Sequence, residues 1–232
     1  MTTTTLSRPR GLLIDAMGTL LEPAAPVAVT YARKAAAMGI TVSPGQIGPA
    51  FHAAYRAAPP MAFPDRSVKS LDQQEKEWWL ACVGDTFQRA GQPLETTVLR
   101  QLTGQLFYHY ASPDAWVVPE DVPRCLQRWH GAGLKLAVVS NFDRRLDSLL
   151  ERLWLRHWFT AVVISSRCGV AKPDPRLFHM AVERLGLLPH QVWHLGDAKA
   201  DAQGARAAGI RCILVQRTQS FPANTATGMM EA

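Results

Sequence analysis

The feature that most constrains this chain is a series of short apolar runs that alternate with helical patterns. The first run covers residues 11–14, and later runs cover 136–140, 161–165, 192–195 and 212–215. Runs this short and this continuously apolar are typical of strands that are buried on both faces of a parallel sheet. Since helical patterns separate the later runs, the sequence predicts an α/β fold with a doubly wound parallel sheet.

The helices of this sheet are predicted from their end signals. Helical patterns cover residues 121–130, 143–152, 175–185 and 200–208. Asp174 is a favourable N-cap residue before the third of these helices, and a proline occupies the first helical position. Gly209 is a typical stop signal after the last one.

Residues 24–115 contain no run that resembles a strand. Four helical patterns are predicted there instead, at 27–38, 44–57, 71–90 and 94–110. Helices placed between the first strand and the rest of the sheet predict a second, all-α module, which we call the helical insert. We therefore divide the chain into an α/β core at 11–23 and 116–217, the helical insert at 24–115, and tails at 1–10 and 218–232.

Composition and charge exclude several classes of protein. With 47% hydrophobic residues the chain should be globular, yet its apolar runs are too short to span a bilayer, so we expect no membrane association. The net charge of +6 is not concentrated in basic runs interleaved with aromatic residues, which argues against nucleic-acid binding. It indicates either a mildly basic surface or attraction of an anionic substrate. The start lacks an apolar signal core and the four cysteines form no CxxC pair, so we expect a cytoplasmic protein with reduced thiols.

Four short motifs follow the predicted strands, where ligands bind in open parallel sheets. The first, LLIDAMGTLL, places Asp15 directly after a buried strand, where a carboxylate is costly unless a metal, water or donors reach it. Asp15 is therefore a candidate nucleophile and metal ligand, and Thr19 adds a hydroxyl donor. The alternative is that Asp15 caps a turn at Gly18.

The second and third motifs carry groups that suit a phosphate. In LAVVSNFDRRL, Ser140 and Asn141 offer a hydroxyl and an amide to an oxyanion. Helix capping by Asn141 or Asp143 explains the same residues equally well. In GVAKPDPRLF, Lys172 could neutralise charge on a transferring phosphoryl group, or it is an ordinary surface lysine.

The fourth motif, HLGDAKADAQGARAAGI, carries Asp197 after a strand and Asp201 at the start of a helix. Two carboxylates near a third suggest a hard divalent cation with oxygen ligands. The alternative for Asp201 is a favourable interaction with the helix dipole. His179 and His194 lack ligand-like spacing, so we interpret them as core or surface residues, and Trp78 and Trp79 as packing within the insert or against the core.

Taken together and in this order, the motifs resemble those of the haloacid dehalogenase superfamily over about residues 11–217, with the helical insert in the place of a type-1 cap. SNFDRRL and DAMGTL look most like the subfamily of the rhythmically expressed gene 2 protein of flies. The resemblance implies a nucleophile at Asp15 that forms an aspartyl-phosphate, and phosphoryl binding by Ser140 and Lys172. It also implies Mg²⁺ held by Asp15, the backbone carbonyl of Met17 and Asp197. Asp201 would either support these ligands without contacting the ion or pair with the lysine.

The chain departs from the family pattern at Met17, where phosphatases of the family usually carry a second aspartate. That carboxyl would protonate the leaving group and then activate water, which is worth about 10²–10⁴ in rate. Three interpretations follow. The chain is a magnesium-dependent phosphatase acting on a small phosphorylated metabolite, or a catalytically impaired protein that binds a phosphate, metal or protein partner. The third is a 2-haloacid dehalogenase, which the metal-type Asp197 disfavours and for which Arg56 is the sole candidate halide ligand.

Overall fold

The computed structural model describes residues 8–217. Its strands are β1 (Gly11–Ile14), β2 (Glu22–Pro23), β3 (Trp116–Val117), β4 (Lys135–Ser140), β5 (Ala161–Ile164), β6 (Val192–Gly196) and β7 (Arg211–Leu214). Five of them form one parallel sheet in the order β5-β4-β1-β6-β7, and β2 pairs with β3 in a separate antiparallel ribbon. The predicted parallel α/β sheet is confirmed.

Helices cover both faces of this sheet. They are α5 (Asp121–Gly131), α6 (Arg145–Arg152), α7 (Ser165–Cys168), α8 (Pro175–Leu185) and α9 (Lys199–Ala207). Leu12 and Ile14 of β1 pack in a cluster with residues of α5 and α6, whereas Leu13 packs in a second cluster with residues of α8 and α9. Because both faces are buried, every position of β1 is apolar, which explains the continuous runs in the sequence.

The helical insert lies between β2 and β3 in the chain. It contains α1 (Val27–Ala36), α2 (Pro44–Ala57), α3 (Leu71–Arg89) and α4 (Thr96–His109). These helices have a hydrophobic cluster of their own, which includes Tyr31, Ile47, Phe87 and Leu102. The insertion of helices between core strands is confirmed, and the limits 24–115 stay a prediction.

One face of α3 joins the insert to the loop that follows β4. Trp79 Nε1 donates to Asp143 Oδ2 at 2.8 Å, and the Arg144 backbone N–H donates to Glu75 Oε1 at 2.9 Å. Asp72 also pairs with the guanidinium of Arg144. Glu75 is fully buried, and burial raises the pKa of its carboxyl.

Several predicted boundaries differ from the observed ones by one or two residues, and two of them have a clear local cause. Helix α6 begins at Arg145 rather than at residue 143, because Asp143 Oδ1 accepts from the Arg145 backbone N–H in the preceding turn. Strand β5 ends at Ile164, since Ser165 already begins α7. The predicted tails lie outside the described residues, except for positions 8–10. Among the helices of residues 8–217, none has the length and apolar character required to cross a membrane.

Candidate active site

Three neighbouring strand ends place the motif residues at one edge of the sheet. Asp15 follows β1, and its backbone N–H continues the ladder to β6 by donating to the Leu195 carbonyl at 2.8 Å. Ser140 ends β4 on one side of β1, and Asp197 follows β6 on the other. Since β1 is the central strand, these positions converge on the carboxyl end of the sheet, where parallel sheets bind ligands.

Lys172 links two of the aspartates. Its Nζ lies 2.7 Å from Asp15 Oδ1 and 2.6 Å from Asp201 Oδ1, and all three side chains are buried. Burial alone would lower the pKa of Lys172, but the charges of Asp15 and Asp201 outweigh it and raise that pKa. The ammonium is therefore held in its charged form beside the candidate nucleophile, and the surface-lysine alternative is wrong.

Asn141 binds the backbone of Lys172. Asn141 Nδ2 donates to the Lys172 carbonyl at 2.9 Å, and the Lys172 N–H donates to Asn141 Oδ1 at 2.7 Å. This pair of bonds fixes the position at which the lysine side chain starts. For Asn141 it also replaces the helix-capping alternative, because the amide is directed to a segment 31 residues away. Direct contact of Asn141 with a substrate stays a prediction.

Asp15, Asp197 and Asp201 form a group of acidic ligands. One carboxylate oxygen of each lies within 4.8 Å of those of the others, a spacing at which a single ion can be held. Burial, followed by the charges of Asp15 and Asp201, raises the pKa of Asp197 to about 6. Hard oxygen donors and an excess of negative charge fit a hard divalent cation. The cluster is thus consistent with a metal site.

Two glycines make room for these carboxylates. Gly18 has a φ of +81°, and a Cβ added there would lie 2.2 Å from Asp197 Oδ2. The backbone that carries the Met17 carbonyl therefore passes directly beside Asp197. A Cβ added at Gly196 would lie 2.3 Å from Asp201 Cγ, so this glycine lets α9 bring Asp201 against β6.

His194 belongs to the same network, which the sequence interpretation missed. It is fully buried, and its Nε2 lies 2.7 Å from Asp201 Oδ1. Burial alone would raise the pKa of Asp201, but the hydrogen bond with His194 and the charge of Lys172 lower it below its ordinary value. Asp201 also accepts from the Ala198 N–H at the start of α9, as the helix-dipole alternative expected. Strand alternation was an available signal, because His194 and Gly196 share one face of β6.

The other candidate residues make fewer contacts with the acidic group and Lys172. Thr19 and Ser140 are both buried, and within residues 8–217 the Thr19 hydroxyl has no hydrogen-bond partner. Met17 is 45% exposed and lines a cavity between the core and the helical insert. Arg56 is exposed, its Nε donates to the His52 carbonyl, and it does not line that cavity. The candidate halide ligand is therefore wrong.

The tryptophan pair divides between the two expected roles. Trp78 packs within the insert and donates to the Pro59 carbonyl at 2.8 Å, whereas Trp79 contacts the core through Asp143. His179 is exposed, and its Nε2 lies 3.4 Å from the Ala208 carbonyl, which fits the expected surface role.

Comparisons with known proteins agree with the motif resemblance. A family model described as a haloacid dehalogenase-like hydrolase matches residues 9–209. The haloacid dehalogenase-like hydrolase domain-containing protein 3 of Bos taurus is 40% identical over 207 residues, which are 89% of this chain and 81% of that protein. The rhythmically expressed gene 2 protein of Drosophila melanogaster is 26% identical over 219 residues, 90% of this chain and 84% of that protein. The predicted superfamily is confirmed, and the rhythmically expressed gene 2 protein is a homologue at 26% identity.

Two further similarities are to a phosphatase and to a dehalogenase. A phosphoserine phosphatase of Thermus thermophilus is 41% identical over 88 residues, which cover 37% of this chain and 35% of that protein. The structure of an L-2-haloacid dehalogenase from Xanthobacter autotrophicus matches with a TM-score of 0.63 at 21% identity, covering 90% of this chain and 78% of that one. At this identity the second match concerns the fold alone and does not assign dehalogenase chemistry.

Proposed function

This chain belongs to the haloacid dehalogenase-like hydrolase family, and we propose that it is a magnesium-dependent phosphatase acting on a small phosphorylated molecule. The observation that carries the proposal is Lys172, which is buried between Asp15 and Asp201 beside a third carboxylate, Asp197. This arrangement suits transfer of a phosphoryl group, because the lysine cation and the oxygen ligands of a metal lie beside the nucleophile and can neutralise the phosphoryl charge.

In the proposed reaction, a carboxylate oxygen of Asp15 attacks phosphorus. A new O–P bond forms, the bond to the leaving oxygen breaks, and an aspartyl-phosphate results. Lys172 binds the phosphoryl oxygens together with the hydroxyls of Ser140 and Thr19. Water then attacks the aspartyl-phosphate, which releases inorganic phosphate and restores Asp15.

The metal is proposed to be Mg²⁺, held by Asp15, Asp197 and the backbone carbonyl of Met17. Its chemical contribution would be to offset the negative charge of the phosphoryl group. Asp201 accepts from Lys172 and His194, which favours the role of lysine partner over that of a direct ligand.

Met17 determines how the leaving group departs. A thioether has no proton to give, so the leaving oxygen departs as an anion and takes its proton from water. Leaving groups that are stable as anions, such as those of acyl and aryl phosphates, should therefore react fastest.

A binding or regulatory protein is the second candidate, and Met17 in place of the expected acid is the observation that favours it. Such a protein would keep the phosphate and metal sites and use them to recognise a small phosphorylated molecule or a protein partner. For either function we propose a cytoplasmic location, which the four free cysteines of the described residues support.

Hydrolysis of acetyl phosphate tests the proposal. Wild type should release phosphate in Mg²⁺ and lose this activity in EDTA, and Asp15→Asn should be inactive in both. Asp114→Asn is the matched control, because Asp114 is exposed and outside the acidic group. If wild type and Asp15→Asn are indistinguishable in Mg²⁺, the phosphatase proposal is refuted and the binding role takes its place.

A further inference from the structure

A cavity of about 300 Å³ lies between the helical insert and the core. All four helices of the insert contribute to its lining, and the core contributes Met17, Pro23, Trp116 and residues 141–143 and 145. Most of the lining side chains are aromatic or aliphatic. A volume of this order is at the lower end of the range for cavities that bind small organic ligands.

The one ion pair in the lining is already satisfied. Arg145 Nη2 lies 2.6 Å from Asp143 Oδ2, and Arg145 Nη1 donates to the Phe107 carbonyl at 2.8 Å. Trp79 donates to the same carboxylate, and the guanidinium also lies 3.8 Å from the ring centre of Phe107. Among the described residues, Arg145 is the only lysine or arginine that lines the cavity. A second phosphate or a carboxylate of a substrate would therefore find no free lysine or arginine among the described lining residues.

The cavity opens next to the proposed phosphoryl site. Met17 lies two residues after Asp15, and Asn141 binds the backbone of Lys172, so two lining residues are adjacent to the reacting groups. Tyr55 lines the same space from α2. Burial raises the pKa of Tyr55 to about 12, and among the smaller contributions the charge of Asp15 adds to this rise. The side chain at the position of the missing acid is thus part of an apolar wall.

We propose that this cavity receives the leaving group of the substrate, and that this group carries an apolar ring, as in aryl and arylalkyl monophosphates. The inference rests on the proposed phosphatase function and adds a substrate class to it. Sugar and polyol phosphates are disfavoured, because their several hydroxyls would lose water against a mostly apolar wall that offers few partners, among them the hydroxyls of Thr103 and Tyr110.

A comparison of two alkyl phosphates separates recognition of the ring from the effect of the leaving group on the rate of P–O cleavage. Benzyl phosphate and glycerol 1-phosphate both release an alcohol, so both make a similar demand for a proton. Burial of the ring should raise kcat/KM for benzyl phosphate at least about tenfold above that for glycerol 1-phosphate. Acetyl phosphate, which has no ring, reports the activity of the phosphoryl site itself.

Thr103 offers a variant that reduces the cavity. It is buried, lines the cavity from α4, and its hydroxyl has no hydrogen-bond partner within residues 8–217, so Thr103→Leu fills space without breaking a bond. The ratio of kcat/KM for benzyl phosphate to that for acetyl phosphate should fall about tenfold in this variant. Thr97→Leu makes the same change on an exposed position of α4 and should leave the ratio at the wild-type value.

Calorimetry of benzylphosphonate binding distinguishes failure of this inference from failure of the proposed function. If acetyl phosphate is hydrolysed but benzyl phosphate is not preferred to glycerol 1-phosphate, the inference is overturned and the proposed function stands. If no phosphate is hydrolysed but benzylphosphonate binds to wild type and not to Thr103→Leu, the proposed function is overturned while the cavity remains a site for apolar rings. Absence of both hydrolysis and binding overturns both.

Discussion

The substitution Asp197→Asn should stabilise the metal-free protein and destabilise it in Mg²⁺. Asp197 has a pKa of about 6, because burial and the charges of Asp15 and Asp201 disfavour its ionised form. In the unfolded chain its pKa returns to the ordinary 3.8. Between these two values the folded state binds more protons than the unfolded state, so Asp197 makes the free energy of unfolding fall as pH rises. This loss in the free energy of unfolding approaches its full value above about pH 6 and largely disappears below about pH 4.

The size of this penalty follows from the shift and from exposure. A shift from 3.8 to about 6 corresponds to roughly 3 kcal/mol if it is converted in full. The Asp197 side chain is only partly covered and keeps contact with solvent, so screening reduces the expected gain in Asp197→Asn to about 1 kcal/mol. In Mg²⁺ the sign reverses, since a ligand at 100 times its Kd stabilises wild type by about 2.7 kcal/mol.

Urea unfolding at several pH values between 4 and 8 measures both effects, once in EDTA and once in Mg²⁺. Asp114→Asn serves as the control, because it removes an exposed carboxylate that is outside the acidic group. The reasoning is refuted if Asp197→Asn is no more stable than wild type in EDTA at pH 7.5. A difference between the two that does not diminish towards pH 4 would also contradict it.

Three further predictions concern the residues around the cluster. Met17→Asp should raise kcat for glycerol 1-phosphate more than for acetyl phosphate, up to the 10²–10⁴ of general acid–base catalysis; equal changes in a steady-state assay would contradict this. Gly18→Ala should weaken Mg²⁺ binding in calorimetry, because its Cβ would lie 2.2 Å from Asp197 Oδ2. The control is Gly39→Ala, which has a similar φ but no neighbouring atoms, so it should lower the free energy of unfolding by about 1–2 kcal/mol without affecting Mg²⁺ binding. Asn141→Ala should lower the free energy of urea unfolding by about 1–3 kcal/mol, because it leaves a backbone N–H and a carbonyl without their partners; unchanged stability with weaker phosphate binding would assign Asn141 to the substrate instead.

The sequence predicted those parts of the fold that depend on local pattern. The runs at residues 11–14 and 161–165 indicated buried strands because both faces of the sheet are covered, although the second strand ends one residue earlier, and α2 begins and ends where proline and the apolar period indicated. The convergence of Asp15 and Asp197 also follows from sequence, since carboxyl ends of parallel strands share one edge of a sheet.

The contacts that were missed join segments distant in the chain. Asn141 reaches Lys172 across 31 residues, and its side chain fits a helix cap equally well until the partner is seen. The contact between His194 and Asp201 depends on the space left at Gly196, which no spacing rule for ligands contains. The cavity could not be predicted from the sequence for a related reason. Helical periodicity separates apolar from polar faces, but it does not indicate which apolar face contacts the core.

The contacts of α3 with the loop after β4 have a mechanical consequence. Asp72, Glu75 and Trp79 lie on one face of α3, and all contact residues 143–144, two or three positions beyond Asn141. A hinge motion of the insert would break these contacts and admit water to a carboxylate that is now fully buried. The same motion would pull on the loop whose first residue, Asn141, holds Lys172 in place. The contacts of α3 and the position of Lys172 are therefore mechanically connected, so we expect a displacement of the insert to shift Lys172 as well.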